Sequence, residues 1–236
     1  MTTRILNRVA NFDERSRAFP ATVGLEEKPF RSYSWRCNVW NDQGREGACV
    51  GFAWSHELAA RPAEYLTDAT LAHKIYNRAK QLDPWPGESY DGTSVLAGAK
   101  AVHEMVNADG KPLIDEYRWA FGIEDVIRVL GYRGPLVLGV NWHEGMWNTD
   151  SNGFISPTGS VVGGHAILAR AVRIVWRNGH GPANLNNLDT EKSYVTLRNS
   201  WGRDWGLGGD CRISVLDLHA LLRNDGEACI PVVRNK

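Results

Sequence analysis

The sequence predicts an α+β fold, and three observations carry that expectation. Helical signals crowd the first half of the chain. Apolar runs of strand length crowd the second. The change falls at Gly134-Pro135, a turn pair that opens the apolar run Leu136 to Val140. In order, the first helix is expected from Ala48 to Arg61, where Pro62 stops it. Asp68 is placed to cap a second helix reaching about Gln81. Asp83-Pro84-Trp85-Pro86-Gly87 reads as a loop. Thr93 or Ser94 caps a third helix ending near Asn107, and a short helix covers Ile123 to Leu130. Further strands are expected over His165–Val175, Tyr194–Arg198, Cys211–Val215 and Ala228–Val233, with a short helix over Leu216–Arg223. Residues 1–42 show few periodic apolar positions and read as extended or looping. Such an order suits a helical lobe and a β lobe with a cleft between them.

At 236 residues the chain is long enough for one domain with a substantial core. Its 27 basic and 27 acidic residues balance, which argues against nucleic acid as the main partner, because phosphate binding draws on a positive excess. No apolar run approaches membrane-span length, so no membrane association is expected. Met1 to Pro20 carries six charged side chains and lacks the apolar stretch of a secretory signal. The expected setting is therefore cytoplasmic or virion-associated. Cys37, Cys49, Cys211 and Cys229 have no CxxC spacing, and no phosphate-binding loop motif is present, so neither a metal nor another cofactor is expected. If Cys49 is a free nucleophile, three thiols remain, which leaves room for one disulfide and fits a reducing compartment.

Three places carry chemistry. Cys49 stands where a loop containing Gly44 and Gly47 enters the first helix. A thiol there feels the positive end of the helix dipole, which favours thiolate, although the same place suits a buried thiol that only packs. His165 follows Gly163-Gly164 and is expected to start a strand, which would present an imidazole with little bulk beside it. A nucleophilic cysteine needs such a base within reach in the fold. Asn199 ends the Tyr194–Arg198 strand and opens the string Asn199-Ser200-Trp201-Gly202-Arg203-Asp204-Trp205-Gly206. A neutral amide there orients an imidazole without competing for its charge, and Trp201 and Trp205 would shield that contact from water. His56, His73 and His103 lie on expected helices in surface or packing roles, and His180 and His219 show no partner at a telling spacing.

Taken together, these segments resemble the papain-like (C1) cysteine peptidases. Asp42-Gln43-Gly44 through Gly47-Ala48-Cys49 is similar to the family's cysteine segment, Gly164-His165-Ala166 to its histidine segment, and Asn199-Ser200-Trp201-Gly202 to its asparagine segment. The likeness runs from about residue 35 to 215. It implies a two-lobed fold with the helical lobe at about 38–120, the β lobe at about 121–236 and segment 1–37 packing across. It also implies Cys49 as nucleophile, His165 as its acid–base partner, Asn199 as the group orienting His165, and the Gln43 amide with the Cys49 backbone N–H as oxyanion donors. Gly92 and Thr93 fall, loosely, where the family pairs with substrate backbone. Gly164 and Trp201 border the same cleft, and Trp142 suits either the leaving side of the cleft or the core.

The departures are Glu46 where relatives carry a disulfide cysteine, Val50 in place of an aromatic, and Gly164 in place of an aspartate. They suggest a bacterial or phage-type branch. Residues 177–192 look like a loop insertion, and the 42 residues before Gln43 are too few for the long inhibitory propeptide of secreted relatives. The resemblance implies hydrolysis of protein or peptide through a thioester. Transfer of the acyl group to an amine is a variant of it. A catalytically silent structural or peptide-binding part of a larger assembly, such as a phage particle, is the alternative.

Overall fold

The computed structural model describes residues 4–85, 91–179 and 184–233. Pro86 and Gly87 of the expected loop, and His180, lie outside the described residues. Among the described residues five α-helices form: α1 (Cys49–Ala59), α2 (Ala69–Leu82), α3 (Val95–Glu104), α4 (Ile123–Tyr132) and α5 (Val215–Arg223). The expected caps are in use. The Asp68 carboxylate accepts from the Leu71 N–H, and Ser94, rather than Thr93, accepts from the Ala97 N–H. Helices α1 and α2 pack so closely that a Cβ on Gly51 would strike the Ala72 carbonyl and the Tyr76 side chain, 2.7 Å from its Cβ. This contact accounts for a glycine inside a helix, where it costs about 1 kcal/mol against alanine.

Among the described residues seven strands build one sheet: β1 (Tyr33–Ser34), β2 (Glu116–Trp119), β3 (Leu136–His143), β4 (Val161–Arg173), β5 (Tyr194–Arg198), β6 (Asp210–Ser214) and β7 (Glu227–Val232). The order is β2-β7-β3-β4-β5-β6, all pairs antiparallel, with β1 on β4. Strands β1 and β2 carry little sequence signal, β1 being two exposed residues and β2 four residues of which only Trp119 is buried. β4 begins at Val161, four residues before the expected start at His165. Its first residues are an exposed Val-Val pair and two glycines, which carry little strand signal.

The apolar run of β3 is continuous because both faces of the sheet are covered. Leu136, Leu138, Val140 and Trp142 point to a core shared with α4, α5 and strands β4–β6. Val137 points the other way, into a core shared with α1, α3, β2 and β7. β4 divides likewise, sending Ile167 and Ala169 to the first core and Ala166 and Leu168 to the second. All four cysteines are free and buried, so the disulfide for which the sequence left room does not form. The expected insertion is partly ordered by its own hydrogen bonds, including Arg177 N–H to the Asn187 carbonyl at 3.0 Å and a Trp176–Leu188 bridge.

Among the described residues, no helix is long and apolar enough to cross a membrane. Nor do they contain a group of three or more metal-ligating side chains.

Candidate active site

Cys49 is the first residue of α1, at the end where backbone N–H groups lack helical partners and the dipole is positive. That helix runs against β4, so the thiol lies beside the backbone of Ala166, the residue after His165. His165 sits opposite Val140 in the β3–β4 ladder. Its Nε2 meets Asn199 Oδ1 at 2.9 Å, and its Nδ1 is buried without a hydrogen-bond partner. Asn199 immediately follows β5. The same Oδ1 accepts from the Ser200 N–H at 2.8 Å, and the backbone N–H of Asn199 donates to the Gly209 carbonyl at 3.0 Å, while its Nδ2 is buried without a partner.

Aromatic rings close off this pair. Trp142 stands edge-on to His165 at 4.8 Å and Trp201 lies tilted beside it at 5.3 Å. Trp147 stacks on Trp201, and Trp205 meets it edge-on. Trp142, offered by the sequence for cleft or core, is fully buried behind the imidazole. Trp201 is buried too, at 3% exposure, and covers the histidine–asparagine contact rather than facing outward.

Gln43 is held in a loop by its N–H to the Ser200 carbonyl at 2.9 Å, while its Oε1 accepts from the Ser200 hydroxyl at 2.6 Å. Its Nε2 therefore points away from Ser200. It donates to the Glu46 carbonyl at 2.8 Å and to the Ile5 carbonyl at 3.2 Å. Ser200, which the motif string contained but sequence reasoning did not single out, thus fixes the Gln43 side chain. Glu46, in the position where relatives carry a cysteine, makes an exposed pair with His73 at 2.8 Å.

The second partner of Gln43 shows what fills the groove. Residues 5–9 run through it as an extended segment. The Arg8 N–H donates to the Gly164 carbonyl at 2.8 Å and the Val9 N–H to the Thr93 carbonyl at 3.0 Å. Asn7 and Arg8 form parallel bridges with Gly164 and Thr93. The glycines make this approach possible: a Cβ on Gly92 would fall on the Asn7 carbonyl, and one on Gly164 on the Arg8 carbonyl. Gly92 also needs its φ of +139°, which side chains with a Cβ rarely adopt. Gly92, Thr93 and Gly164 thus do hold an extended backbone, but it is the chain's own. The sequence argued only against a long propeptide, and the short segment 5–9 is what lies in this groove. Arg4 anchors the segment on one side through Asp42, and Arg8 on the other through Glu227.

Burial sets the electrostatics. Burial pushes the Cys49 thiol above its ordinary range, with the backbone of Ala166 and Asn7 pulling weakly the other way. Burial also pulls His165 down to about 4, against the contact with Asn199. At neutral pH both members are held uncharged in this closed state.

The fold and this cleft define a papain-like α+β protein, similar over nearly its whole length to solved cysteine proteases. Xylellain, a cysteine protease from Xylella fastidiosa, superimposes with a TM-score of 0.65 at 16% identity, covering 98% of this chain and 96% of its own. Digestive procathepsin L2 from Tenebrio molitor gives 0.62 at 16% identity, with 96% of this chain and 77% of that one covered. Bromelain from Ananas comosus, solved with the E64 inhibitor, gives 0.54 at 16% identity, with coverages of 86% and 99%. No family model and no curated protein matches the sequence.

Proposed function

We propose that the chain is a cysteine endopeptidase kept latent by its own N-terminal segment. The observation that carries this reading is the buried His165–Asn199 pair, which leaves the imidazole Nδ1 unpartnered in the cleft that also holds the Cys49 thiol and the Gln43 amide. When the segment leaves, water reaches the site and the desolvation that keeps both groups neutral is relieved. The thiol proton passes to His165, and the helix dipole steadies the thiolate.

The sulfur then attacks a peptide carbonyl. The oxyanion accepts hydrogen bonds from the Gln43 Nε2–H, which serves the Ile5 carbonyl in the closed state, and from the Cys49 N–H. His165 gives its proton to the leaving amine, and the C–N bond breaks to leave a thioester. Water, deprotonated by His165, attacks the thioester carbonyl, restoring the thiol and releasing the acid. Asn199 holds the ring plane throughout. Protein or peptide is the substrate class this chemistry and the groove suit.

A second reading has its own support in the filled groove: a silent papain-like component whose cleft serves only to hold a peptide segment.

The test is labelling of the full chain with a peptidyl epoxide, followed by intact mass and peptide mapping, with Cys49→Ala as control. Single modification at Cys49, abolished in the control, supports the peptidase. A folded protein that stays unmodified on prolonged incubation, with no peptide cleavage, would favour the silent component.

A further inference from the structure

Asn199 is the first residue beyond the β5–β6 ladder, whose last pair is Arg198 with Asp210. The side chains of that pair meet as well. Arg198 Nε donates to Asp210 Oδ1 at 2.6 Å and Nη2 to Oδ2 at 3.3 Å. This two-pronged contact is enclosed, with the Arg198 side chain 2% and the Asp210 side chain 11% exposed. Arg198 Nη1 reaches across to the segment that leads toward Gln43. It donates to the Cys37 carbonyl at 3.3 Å and to the Val39 carbonyl. The Trp40 ring covers the guanidinium at 4.5 Å. Asp210 Oδ2 also accepts from Arg170 of β4, at 3.2 Å from Nε and again from Nη2, and Arg170 Nη1 donates to the Trp35 carbonyl at 3.3 Å. One carboxylate thus ties β4, β5, β6 and residues 35–39 together.

Members of the candidate site hang directly from this cluster. On one side, the Asn199 backbone N–H donates to the carbonyl of Gly209, the residue before Asp210, and Asn199 Oδ1 meets His165 Nε2. A carbonyl oxygen only accepts, so the His165 proton sits on Nε2 and Nδ1 keeps its lone pair. On the other side, residues 40–42 lead from Val39 to Gln43, whose N–H is tied to the Ser200 carbonyl. A change in how Arg198 sits on Asp210 therefore moves the root of the Asn199 side chain and the approach to Gln43 together. A buried ionic cluster is weak support for stability, since apolar side chains of the same volume hold strands at a lower desolvation cost. What it supplies is direction, because a guanidinium in a two-pronged contact has a fixed plane. We propose that Asp210 is a positioning residue: by fixing Arg198 it sets the Asn199 amide, and through that amide the tautomer and plane of the His165 ring. The proposal rests on the peptidase reading above.

The test reads the ring and the turnover separately. In the full-length wild type, the buried His165 Nε2–H should give a slowly exchanging imidazole proton resonance, assigned by its loss in His165→Ala and in Asn199→Ala. Full-length Asp210→Asn, folded by circular dichroism, should lose or broaden that resonance. Arg198→Lys, which keeps the charge but not the fork, should do the same and carries the test if Asp210→Asn does not fold. In peptide cleavage, Asp210→Asn should lower kcat about 10- to 100-fold, the scale for a small misplacement of a catalytic group, with KM nearly unchanged. Added to Asn199→Ala, the same change should cost almost nothing more, because it acts through that amide. A lost resonance in a chain whose wild type cleaves no peptide still supports the control of the ring by Asp210, and only the peptidase reading then fails. A folded variant of either kind that keeps the wild-type resonance, or kcat losses that multiply in the double variant, overturns the proposal.

Discussion

Gly164→Ala separates the cleft from its occupant. All three atoms nearest to a Cβ built at Gly164 belong to Arg8, namely its carbonyl oxygen and carbon and its Cδ at 3.3 Å. The backbone at Gly164, unlike that at Gly92, is not in the left-handed region, so alanine brings no strain of its own. The overlap falls on backbone and cannot be relieved by a rotamer change, so residues 7–9 must move away and the 2.8 Å bond from the Arg8 N–H to the Gly164 carbonyl is lost or stretched. Loss of that bond costs about 1 kcal/mol, and the overlap about 1–3 kcal/mol. The closed state is thus weakened by roughly 2–4 kcal/mol relative to the open one, which raises the open population about 30- to 700-fold.

Iodoacetamide modification of Cys49 reads this population directly, because the thiol is fully buried when the segment is docked. Under conditions where opening and closing are fast relative to alkylation, the rate should rise by that factor, while circular dichroism stays that of the wild type. An unchanged labelling rate in a folded Gly164→Ala protein would refute the view that residues 5–9 are what shuts the cleft.

Other outcomes follow from the same geometry. Because burial holds Cys49 and His165 neutral, the closed wild type should show no thiolate absorbance near 240 nm at pH 7, and Gly164→Ala should show it; equal spectra would count against the electrostatic argument. In peptide cleavage assays, Cys49→Ala should abolish turnover, His165→Ala should nearly do so, and Asn199→Ala should cost less, since it orients rather than reacts. Gln43→Ala should lower kcat about 100- to 1000-fold, the usual loss for one oxyanion donor, and a change in KM alone would remove it from that role. His56, wholly buried in α1, accepts from the Asn41 N–H at 3.1 Å and is pulled down to about 3 by burial. Its folded pKa lies below the ordinary 6.5, so the stability it contributes is present above about pH 6.5 and lost as pH falls toward 3, by at most about 5 kcal/mol. Glu57 and Glu227 are raised by burial and act in the opposite sense, so the comparison that isolates His56 is with His56→Gln. The urea midpoint of that variant should fall less steeply with acidification; parallel slopes would show that His56 does not titrate this way.

What was legible in the sequence is what local rules encode. The caps at Asp68 and Ser94, the proline after α1 and the apolar run of β3 each specify their element within a few residues. The candidate catalytic residues were legible because their neighbours are unusual strings, not because their contacts are local: His165 and Asn199 meet across 34 residues and Gln43 and Ser200 across 157. The early start of β4 was hidden because the two glycines before His165 read as a turn. In the fold they are strand residues whose missing side chains admit another backbone. Arg8 and Glu227 left no signal at all. An arginine in an aperiodic segment and a glutamate opening the last strand are ordinary surface residues until the fold brings them together across 219 positions.

That long-range pair also decides between two accounts of the N-terminal segment. A segment that merely packed would be held by apolar contacts, and only Leu6 of residues 5–9 joins the core. Instead, its backbone uses the Gly164 and Thr93 carbonyls of the groove, its Ile5 carbonyl takes the Gln43 amide, and its arginine fills a charged slot beside the same groove. These are polar backbone and charged contacts of the kind an extended peptide makes. A cleft that only stabilised the fold would be expected to close over apolar side chains, which avoids the cost of desolvating Glu227 and of leaving its second oxygen unpaired. Retention of a buried acid at the side of a glycine-lined groove is therefore better explained by a site that must empty and refill than by one that is permanently closed.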